Sequence, residues 1–485
     1  MSVRKTKIVC TIGPATCSQE AMEHLAKSGM DVMRVNLSHE SPETHEERIR
    51  LFNETNHRLN KRMGLLMDTQ GPEIRTGNVV DGKIFLKEGD FVVVTGKPVE
   101  GTAREFSVSY KDLPRLAEKG QKIFIADGVI ELRVKSSSKT EMECEVIAGG
   151  EMGNHKNVSA PGVAVELPPL TPSDEKGLKI GARNGMDFVA QSFVQKAEDV
   201  LFLLEFLQDI KSDAHVIAKV ESESAVKDLD RIIGAADGVM VARGDLGVQV
   251  PLEDVPFIQK TIVHKCNQQG KPVIVATHML ETMIYNPRPT RAEASDVANA
   301  VYDGADAVML SGETAVGKYA FKAVETMAKI VAKSESLLKH KPLDEVEAFA
   351  VAQTMAHEAL HHHATSMPEA ICRSTVQLAH DLAADAILVP TSRGFSARMI
   401  SKRRPLNRLV ALTNDERVAR KLSVVWGLET LPFVKSINSD QMMEKAVEDT
   451  REHGFVKSGD TVVIVAGIPL GLSGSTNTIN VRRVP

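Results

Sequence analysis

Short apolar runs recur along this chain, each followed by a longer stretch in which apolar residues return every three or four positions. Runs at 7–10, 32–35 and 65–67 open the series, and after an interruption it resumes at 187–190, 216–219, 239–241, 273–276 and 307–310. Continuous apolar runs predict strands buried on both faces, and the 3.6-residue period predicts helices between them. One helix is expected from about Ser18, an N-cap residue, to Ser28, with Gly29 at its end; another begins near Ser41. Eight such units predict a closed (β/α)8 TIM barrel. An open doubly wound sheet is the alternative, because periodicity alone does not show closure.

The interruption has a different pattern. Short alternating runs at 83–86, 91–94, 123–125, 130–134 and 141–146, separated by Gly, Asp and Lys turns, predict an inserted small β-barrel domain. Both its ends join the barrel rim, so it is expected to act as a lid. After about residue 345 helical patterns cover 346–363 and 368–383, and βα alternation returns at 386–389, 409–412 and 462–465. The expected division is 1–70 with 167–344 for the barrel, 71–166 for the lid and 345–485 for a C-terminal α/β domain.

Composition narrows the classes of function. At 485 residues, two to four domains are expected. A hydrophobic content of 42%, a charged content of 25% and a net charge of −5 are ordinary for a soluble protein. With both signs interspersed, no broad nucleic-acid or membrane surface is expected. The five cysteines are scattered without CxxC spacing, which supports neither a disulfide framework nor a thiolate metal site. The first residues lack a long apolar core and no run approaches a membrane span, so a cytoplasmic location is expected.

The C-terminal ends of the eight runs carry the candidate chemistry. In order they read Thr11, Arg34 with Asn36, Asp68 with Thr69, Gln191 with Ser192, Lys219 with Glu221, Arg243 with Asp245, Thr277 with His278, and Ser311 with Glu313. Barrel enzymes place their active sites on that face. Strand alternation puts Lys219 and Glu221 on one side, and Arg243 with Asp245 is expected to repeat that spacing one unit later. Buried charges of this kind are costly unless they bind something. Oxygen-ligated Mg²⁺ with an anionic substrate is the candidate, and a structural Lys–carboxylate pair is the alternative.

Three further motifs require a decision. TSRGFSAR (391–398) is a small-residue turn between a strand and a helix, whose backbone N–H groups and Arg393 suit a phosphate. His357-Glu358-Ala359-Leu360-His361 fits HExxH, but no further ligand motif accompanies it, and a solvated helix face is the better reading. Gly312 to Lys318 fits GxxxxGK, yet Tyr319 replaces the metal-binding hydroxyl, so a tight rim turn is expected.

Taken together, the chain resembles the pyruvate kinase family over essentially its whole length and in its domain order. The segments that carry the resemblance are KIVCTIGPAT, VMRVNLSHE, LLMDTQGPEIRTG, VIAKVESESAV, GVMVARGDLGVQV, VIVATHMLETMI, PTRAEASDVANAVYDGADAVMLSGETA and GSTNTINV.

The resemblance implies transfer of the phosphoryl group of phosphoenolpyruvate to ADP, giving pyruvate and ATP in glycolysis. It implies Glu221 and Asp245 as ligands of Mg²⁺ (or Mn²⁺), and Lys219, Arg34 and Thr277 as catalytic residues. Lys219 would stand beside the transferring phosphoryl group and the enolate, Arg34 would grip the phosphate, and Thr277 would bond the substrate and help deliver a proton to the enolate carbon. The turn Ala242-Arg243-Gly244, with Asp245, would bind the substrate, its backbone N–H groups meeting the carboxylate. Asn36, Ser38, Asp68 and the Thr69 carbonyl match the family's K⁺ ligands. Glu73, Thr69 and Thr76 are of the K⁺-dependent type, whereas Gln70 stands where that class usually has a basic residue.

Asn36, His39 and Arg75 match positions that contact ADP and ATP. So do Asp127, in IADGVI, and Lys156, although KNVSAPG stands where the family usually has KGVNLPG. TSRGFSAR matches the family's effector loop, which makes Thr391, Ser392, Arg393 and Ser396 candidates for binding a phosphorylated allosteric activator. A homotetramer is also implied.

Two other functions are to be weighed. A Mg²⁺-dependent lyase or aldolase acting on a pyruvate enolate would leave the lid, the nucleotide residues and the cation site unexplained. An inactive regulatory relative would have lost part of the charged cluster, and all of it is present.

Overall fold

The computed structural model describes residues 4–163, 165, 167–338, 366–433, 438–468 and 476–485. Three strands open the fold: β1 (Lys7–Thr11), β2 (Val32–Asn36) and β3 (Gly64–Asp68). The insertion carries β4 (Lys83–Leu86), β5 (Phe91–Thr95), β6 (Glu105–Ser107), β7 (Lys122–Ile125), β8 (Ile130–Ser137), β9 (Glu141–Ala148), β10 (Gly150–Gly153) and β11 (Val158–Ser159). The first series then resumes with β12 (Phe188–Gln191), β13 (His215–Val220), β14 (Gly238–Ala242), β15 (Val273–Ala276) and β16 (Ala307–Leu310).

Closure of the first series is direct. Strand β1 pairs in parallel with β2 on one side and β16 on the other, so the eight-stranded sheet has no edge and the open alternative falls. The helices between strands begin and end where the capping chemistry dictates. Ser18 accepts the Ala21 N–H ahead of the helix Gln19–Ser28, and the Gly29 N–H (φ 128°) returns to the Leu25 carbonyl. Ser41 caps Pro42–Arg58 through the Thr44 N–H.

Alternation along each strand divides its residues between two cores. Ile8, Cys10, Met33, Val35, Leu65, Met67, Val216 and Ala218 pack with the helices, while Val9, Val32, Leu66, Ile217 and Met240 belong to the barrel interior. Continuing that parity toward the strand ends turns Thr11, Arg34, Asp68, Lys219 and Glu221 to the inside of the barrel mouth. The strand period therefore builds the site.

In the insertion, β11-β7-β8-β9-β5-β6 form one sheet and β10-β4 a second, sharing a core that includes Leu86, Val92, Phe106, Ile123, Leu132, Met142 and Met152. That core contains insertion residues only, so the unit carries its own stability at the barrel rim.

The C-terminal unit has strands β17 (Ala386–Pro390), β18 (Arg408–Thr413), β19 (Leu428–Pro432), β20 (Thr461–Gly467) and β21 (Thr476–Arg483), in the order β19-β18-β17-β20-β21. Strands β19 and β21 were not expected from sequence. LETLP offers no clear period, and in β21 the apolar residues are scattered among polar ones on an antiparallel edge. The expected helix at 368–383 is Met367–Asp381. The expected helix at 346–363, with the HExxH motif, lies outside the described residues.

This unit docks beneath the barrel. Arg420 Nε donates to both oxygens of Asp187, just ahead of β12, at 3.0 Å, and Lys7 Nζ at the start of β1 donates to the Leu428 carbonyl at 2.7 Å. Core residues of both units, such as Phe188 and Val424, form one cluster with the barrel interior. Contact is thus made at the strand starts, the face opposite the charged mouth.

Candidate active site

Lys219 is the centre of the mouth. Its Nζ donates to Ser192 Oγ at 2.6 Å and Asp68 Oδ1 at 3.2 Å, and lies 2.9 Å from Glu221 Oε1. Burial works against its charge, but Asp68 and Glu221 outweigh that and hold the ammonium above its usual range. Asp68 in turn accepts from Arg34 Nε at 2.6 Å, and Arg34 Nη1 donates to Thr11 Oγ1 at 2.9 Å. Burial opposes ionisation of Asp68 too, yet Arg34 and Lys219 keep its carboxyl below the ordinary carboxylate range.

Ser192 is the residue that sequence reasoning undervalued. Besides accepting from Lys219 it donates to the Thr69 carbonyl at 2.6 Å and lies 3.3 Å from Asp68 Oδ1, so one hydroxyl ties three strand ends together. Its place after β12, between β3 and β13 in the barrel, was the available signal.

Glu221 and Asp245 have the chemistry of a divalent-cation site. Glu221 Oε2 accepts the Phe193 N–H at 2.6 Å, but buried Oε1 has no hydrogen-bond donor, and its contact with Lys219 is an ion pair without hydrogen-bond geometry. Burial and the repulsion of Glu221 push Asp245 up to about 7, against the pull of Lys219. Two hard oxygen ligands, one of them with a buried oxygen that accepts no hydrogen bond, fit Mg²⁺, with substrate oxygens and water to complete the shell. Among the described residues no group of three or more His, Cys, Asp or Glu side chains is placed to hold a metal.

Arg243 and Asp245 depart from the expected geometry. Strand β14 stops at Ala242, and Arg243–Gln249 is a helix, so the two residues do not repeat the strand spacing of Lys219 and Glu221. The Arg243 guanidinium turns to Asp296, 2.6 Å away, and to the carbonyl of Thr277, 2.8 Å away. A direct substrate contact by that side chain is therefore not what this geometry offers. Gly244 lies against Thr277: an added Cβ would stand 2.8 Å from its Cγ2. Thr277 and His278 have φ of 73° and 56°. This left-handed backbone is a true outlier for a β-branched residue and costs of order 1–3 kcal/mol.

The remaining expected residues fall around this centre. Asn36 is the register partner of Asp68, and its Oδ1 accepts the Ser38 N–H at 3.1 Å, while His39 is exposed on the loop that follows. Arg75 Nε donates to Glu73 at 2.7 Å and Nη1 to the His155 carbonyl at 3.2 Å. Thr76 and Lys156 exchange two hydrogen bonds at 2.7 and 2.9 Å, fixing where the second lid connection returns. Exposed Asp127 pairs with Asn157 at the lid's rim, and both Asp127 and Glu73 add to the negative field on Asp245. A cavity of about 670 Å³ lies between lid and barrel, lined by Glu73, Arg75, Lys111 and His155; it holds none of Lys219, Glu221 and Asp245.

The GxxxxGK segment is a rim turn. Glu313 is fully buried and accepts the N–H groups of Leu280 and Ser311 at 2.9 and 2.7 Å, and the Thr314 hydroxyl donates to the Thr11 carbonyl at 2.8 Å. A Cβ at Gly317 would strike the Glu313 carbonyl oxygen at 2.2 Å.

In the C-terminal unit, Thr391, Ser392 and Arg393 follow β17, the strand from which the chain builds outward to β18 and later returns to β20. Ligands in open α/β sheets bind at such a switch point. Thr391 Oγ1 accepts the Gly394 N–H at 2.9 Å, Ser396 and Thr476 hydroxyls meet at 2.5 Å, and Ser392 and Arg393 are exposed.

Family models place this architecture. Residues 3–324 match the pyruvate kinase barrel domain and 369–482 the pyruvate kinase alpha/beta domain. The chain belongs to the pyruvate kinase family. It is 43% identical over 484 residues to a pyruvate kinase of Staphylococcus epidermidis, covering 99% of this chain and 81% of that one. A Staphylococcus aureus pyruvate kinase gives the same figures. The crystal structure of a pyruvate kinase from Cryptosporidium parvum superposes with a TM-score of 0.92 at 36% identity, over 99% of this chain and 96% of that one. The pyruvate kinase chain is accordingly a phosphotransferase, and the lyase alternative has no support.

Proposed function

We propose that this chain transfers the phosphoryl group of phosphoenolpyruvate to ADP and that the barrel mouth is where it does so. The observation that carries this is the placement of Lys219 among Asp68, Ser192 and Glu221, with Arg34 sharing Asp68. Phosphoryl transfer asks mainly for positioning and for charge neutralisation at the transferring oxygens, and this cluster concentrates fixed cations there. Arg34 binds the phosphate, Lys219 faces the transferring group and the enolate oxygen, and Ala242 to Asp245 meet the substrate carboxylate through backbone N–H groups. Thr277 helps pass a proton to the enolate carbon.

Glu221 and Asp245 would hold Mg²⁺ or Mn²⁺, which when bound supplies the positive charge missing between these carboxylates and the substrate. Asn36, Ser38, Asp68 and the Thr69 carbonyl would hold K⁺. Asn36, His39, Arg75, Lys156 and Asp127 would bind the nucleotide between barrel and lid. Thr391, Ser392, Arg393 and Ser396 would bind the phosphate of an activator. The functional division in this reading is 1–70 with 167–344, 71–166 and 345–485, its boundary at 344–345 lying outside the described residues.

A homotetramer belongs to the same reading; Leu252 and Phe257, 74% and 70% exposed near and on the barrel helix Val255–Gln269, are apolar side chains open to a partner. No helix among the described residues is long and apolar enough to cross a membrane, and a cytoplasmic location is in keeping with a glycolytic role.

The decisive test couples pyruvate release to lactate dehydrogenase with phosphoenolpyruvate, ADP, Mg²⁺ and K⁺. Turnover that needs all four supports the reading. Pyruvate formation without ADP would overturn it. Repeating the assay over sugar phosphates and AMP tests the effector loop, since an activator should make sigmoidal kinetics hyperbolic.

A further inference from the structure

Thr277 carries its unusual φ of 73° immediately after β15, at the C-terminal end of a barrel strand. A backbone that disfavours itself persists only where its surroundings over-determine it. Two charged side chains from the segments that follow the neighbouring strands β14 and β16 provide that. From the β14 side, Arg243 Nη2 donates to the Thr277 carbonyl at 2.8 Å and Nε to the Ala276 carbonyl at 3.2 Å. From the β16 side, Glu313 takes the Leu280 N–H at 2.9 Å and fixes the far end of the turn.

Arg243 is itself held rigidly. Its Nη1 donates to Asp296 Oδ1 at 2.6 Å and to Gln259 Oε1 at 3.4 Å, and Gln259 is anchored on Asp303 at 2.9 Å. Its side chain is only 13% exposed. A planar guanidinium with several fixed donors can grip two successive carbonyls and a carboxylate together, which a lysine ammonium cannot do in the same geometry.

We propose that Arg243 is a positioning residue for proton delivery: its side chain holds Thr277, and with it the hydroxyl, where the enolate is protonated. This rests on the reading of Thr277 given above. In the step concerned, a solvent-derived proton beside Thr277 bonds to the methylene carbon of enolpyruvate. The carbon–carbon π pair becomes the new C–H bond, and the enolate oxygen becomes the ketone oxygen of pyruvate. Phosphoryl transfer precedes this step and takes no proton from Thr277, so the two should respond to different degrees to Arg243.

The test measures two rates on the full-length enzyme with Mg²⁺ and K⁺: ATP formation from phosphoenolpyruvate and ADP, and deuterium exchange into the methyl group of pyruvate in D₂O with ATP present. Arg243→Met is expected to slow methyl exchange about 10²-fold, the scale of one acid–base contribution. ATP formation should fall much less than exchange does, and Arg243→Lys should restore part of the exchange. Asp296→Asn, which loosens the anchor without entering the mouth, should give a weaker version of the same split should Arg243→Met fold poorly by its melting curve. Equal loss of both rates in these variants, or a rise in KM alone, would overturn the positioning role. Thr277→Val separates the two ideas. If it leaves exchange intact, the proton role of Thr277 fails and takes the inference with it; if exchange depends on Thr277 yet survives Arg243→Met, only the role of Arg243 fails.

Discussion

Arg404, in the C-terminal unit, donates to both carboxylate oxygens of Asp306, at 3.0 and 3.1 Å, immediately ahead of barrel strand β16. Asp306 is buried and also accepts the N–H of Trp426 at 3.0 Å and of Val273 at 3.1 Å. One carboxylate thus joins two barrel strands to the unit beneath them. Removing the guanidinium leaves a buried charge without its cation, which costs on the order of 3 kcal/mol. Arg404→Ala is expected to lower the melting temperature clearly, and Asp306→Asn in the same chain to recover part of the loss. Calorimetry on the three variants checks both; an unchanged melting temperature for Arg404→Ala would contradict the account.

Lys219→Met keeps the length of the side chain and removes its charge. Loss of one preorganised charge at a developing oxyanion costs about 10²–10³-fold in turnover, and Lys219 faces two such groups. Turnover should therefore fall by at least that factor in the coupled assay while the fold stays intact. Near-normal turnover would remove Lys219 from the mechanism.

Glu221→Gln and Asp245→Asn each delete one anionic ligand from the expected metal pair. Both should raise the Mg²⁺ concentration needed for half-maximal activity by about tenfold or more, and both should weaken the thermal shift produced by Mn²⁺. A metal requirement unchanged in both variants would place the cation elsewhere.

Glu73 tests the proposed K⁺ requirement. It is paired with Arg75 at the first lid connection, on the side of the mouth that already gathers Asp127 and Asp245. Activity is expected to require K⁺, and Glu73→Lys, which supplies a fixed cation, should lessen that need. Full activity of the unmodified enzyme in Na⁺-containing, K⁺-free buffer would refute this.

His215 opens β13 and sets a pH limit on stability. Burial is the main reason its imidazole is pushed down to about 4, with Lys421 and Arg398 acting in the same direction and Asp237 and Asp213 opposing. In the unfolded chain the ring titrates near 6.5. Between about 6.5 and 4 the unfolded state takes up a proton that the folded state refuses, so stability present above 6.5 is lost as pH falls. His215→Gln should flatten the fall of the melting temperature across that window. An identical profile would mean that other groups control it.

Much of the fold was legible because it rests on local rules. The strand period fixed which residues face inward, and that parity alone collects Thr11, Arg34, Asp68 and Lys219 at one mouth. Ser18, Gly29 and Ser41 marked helix ends because capping involves only neighbouring N–H groups. The strands missed, β19 and β21, draw their stability from partners far along the chain and carry little pattern of their own. GxxxxGK shows the converse: a short motif means little until its surroundings are known, and this one is a rim turn built on buried Glu313.

By itself the sequence determined the order of units, the inward row of charged strand ends and the family they resemble, since each of these follows from spacing along the chain. Only the tertiary structure decided that the barrel closes, that Ser192 links Lys219 to Asp68, and that the Arg243 side chain holds Thr277. It also decided that the C-terminal sheet grips the barrel from below. Those facts depend on distances between residues remote in sequence, such as Arg404 and Asp306, which no local pattern encodes.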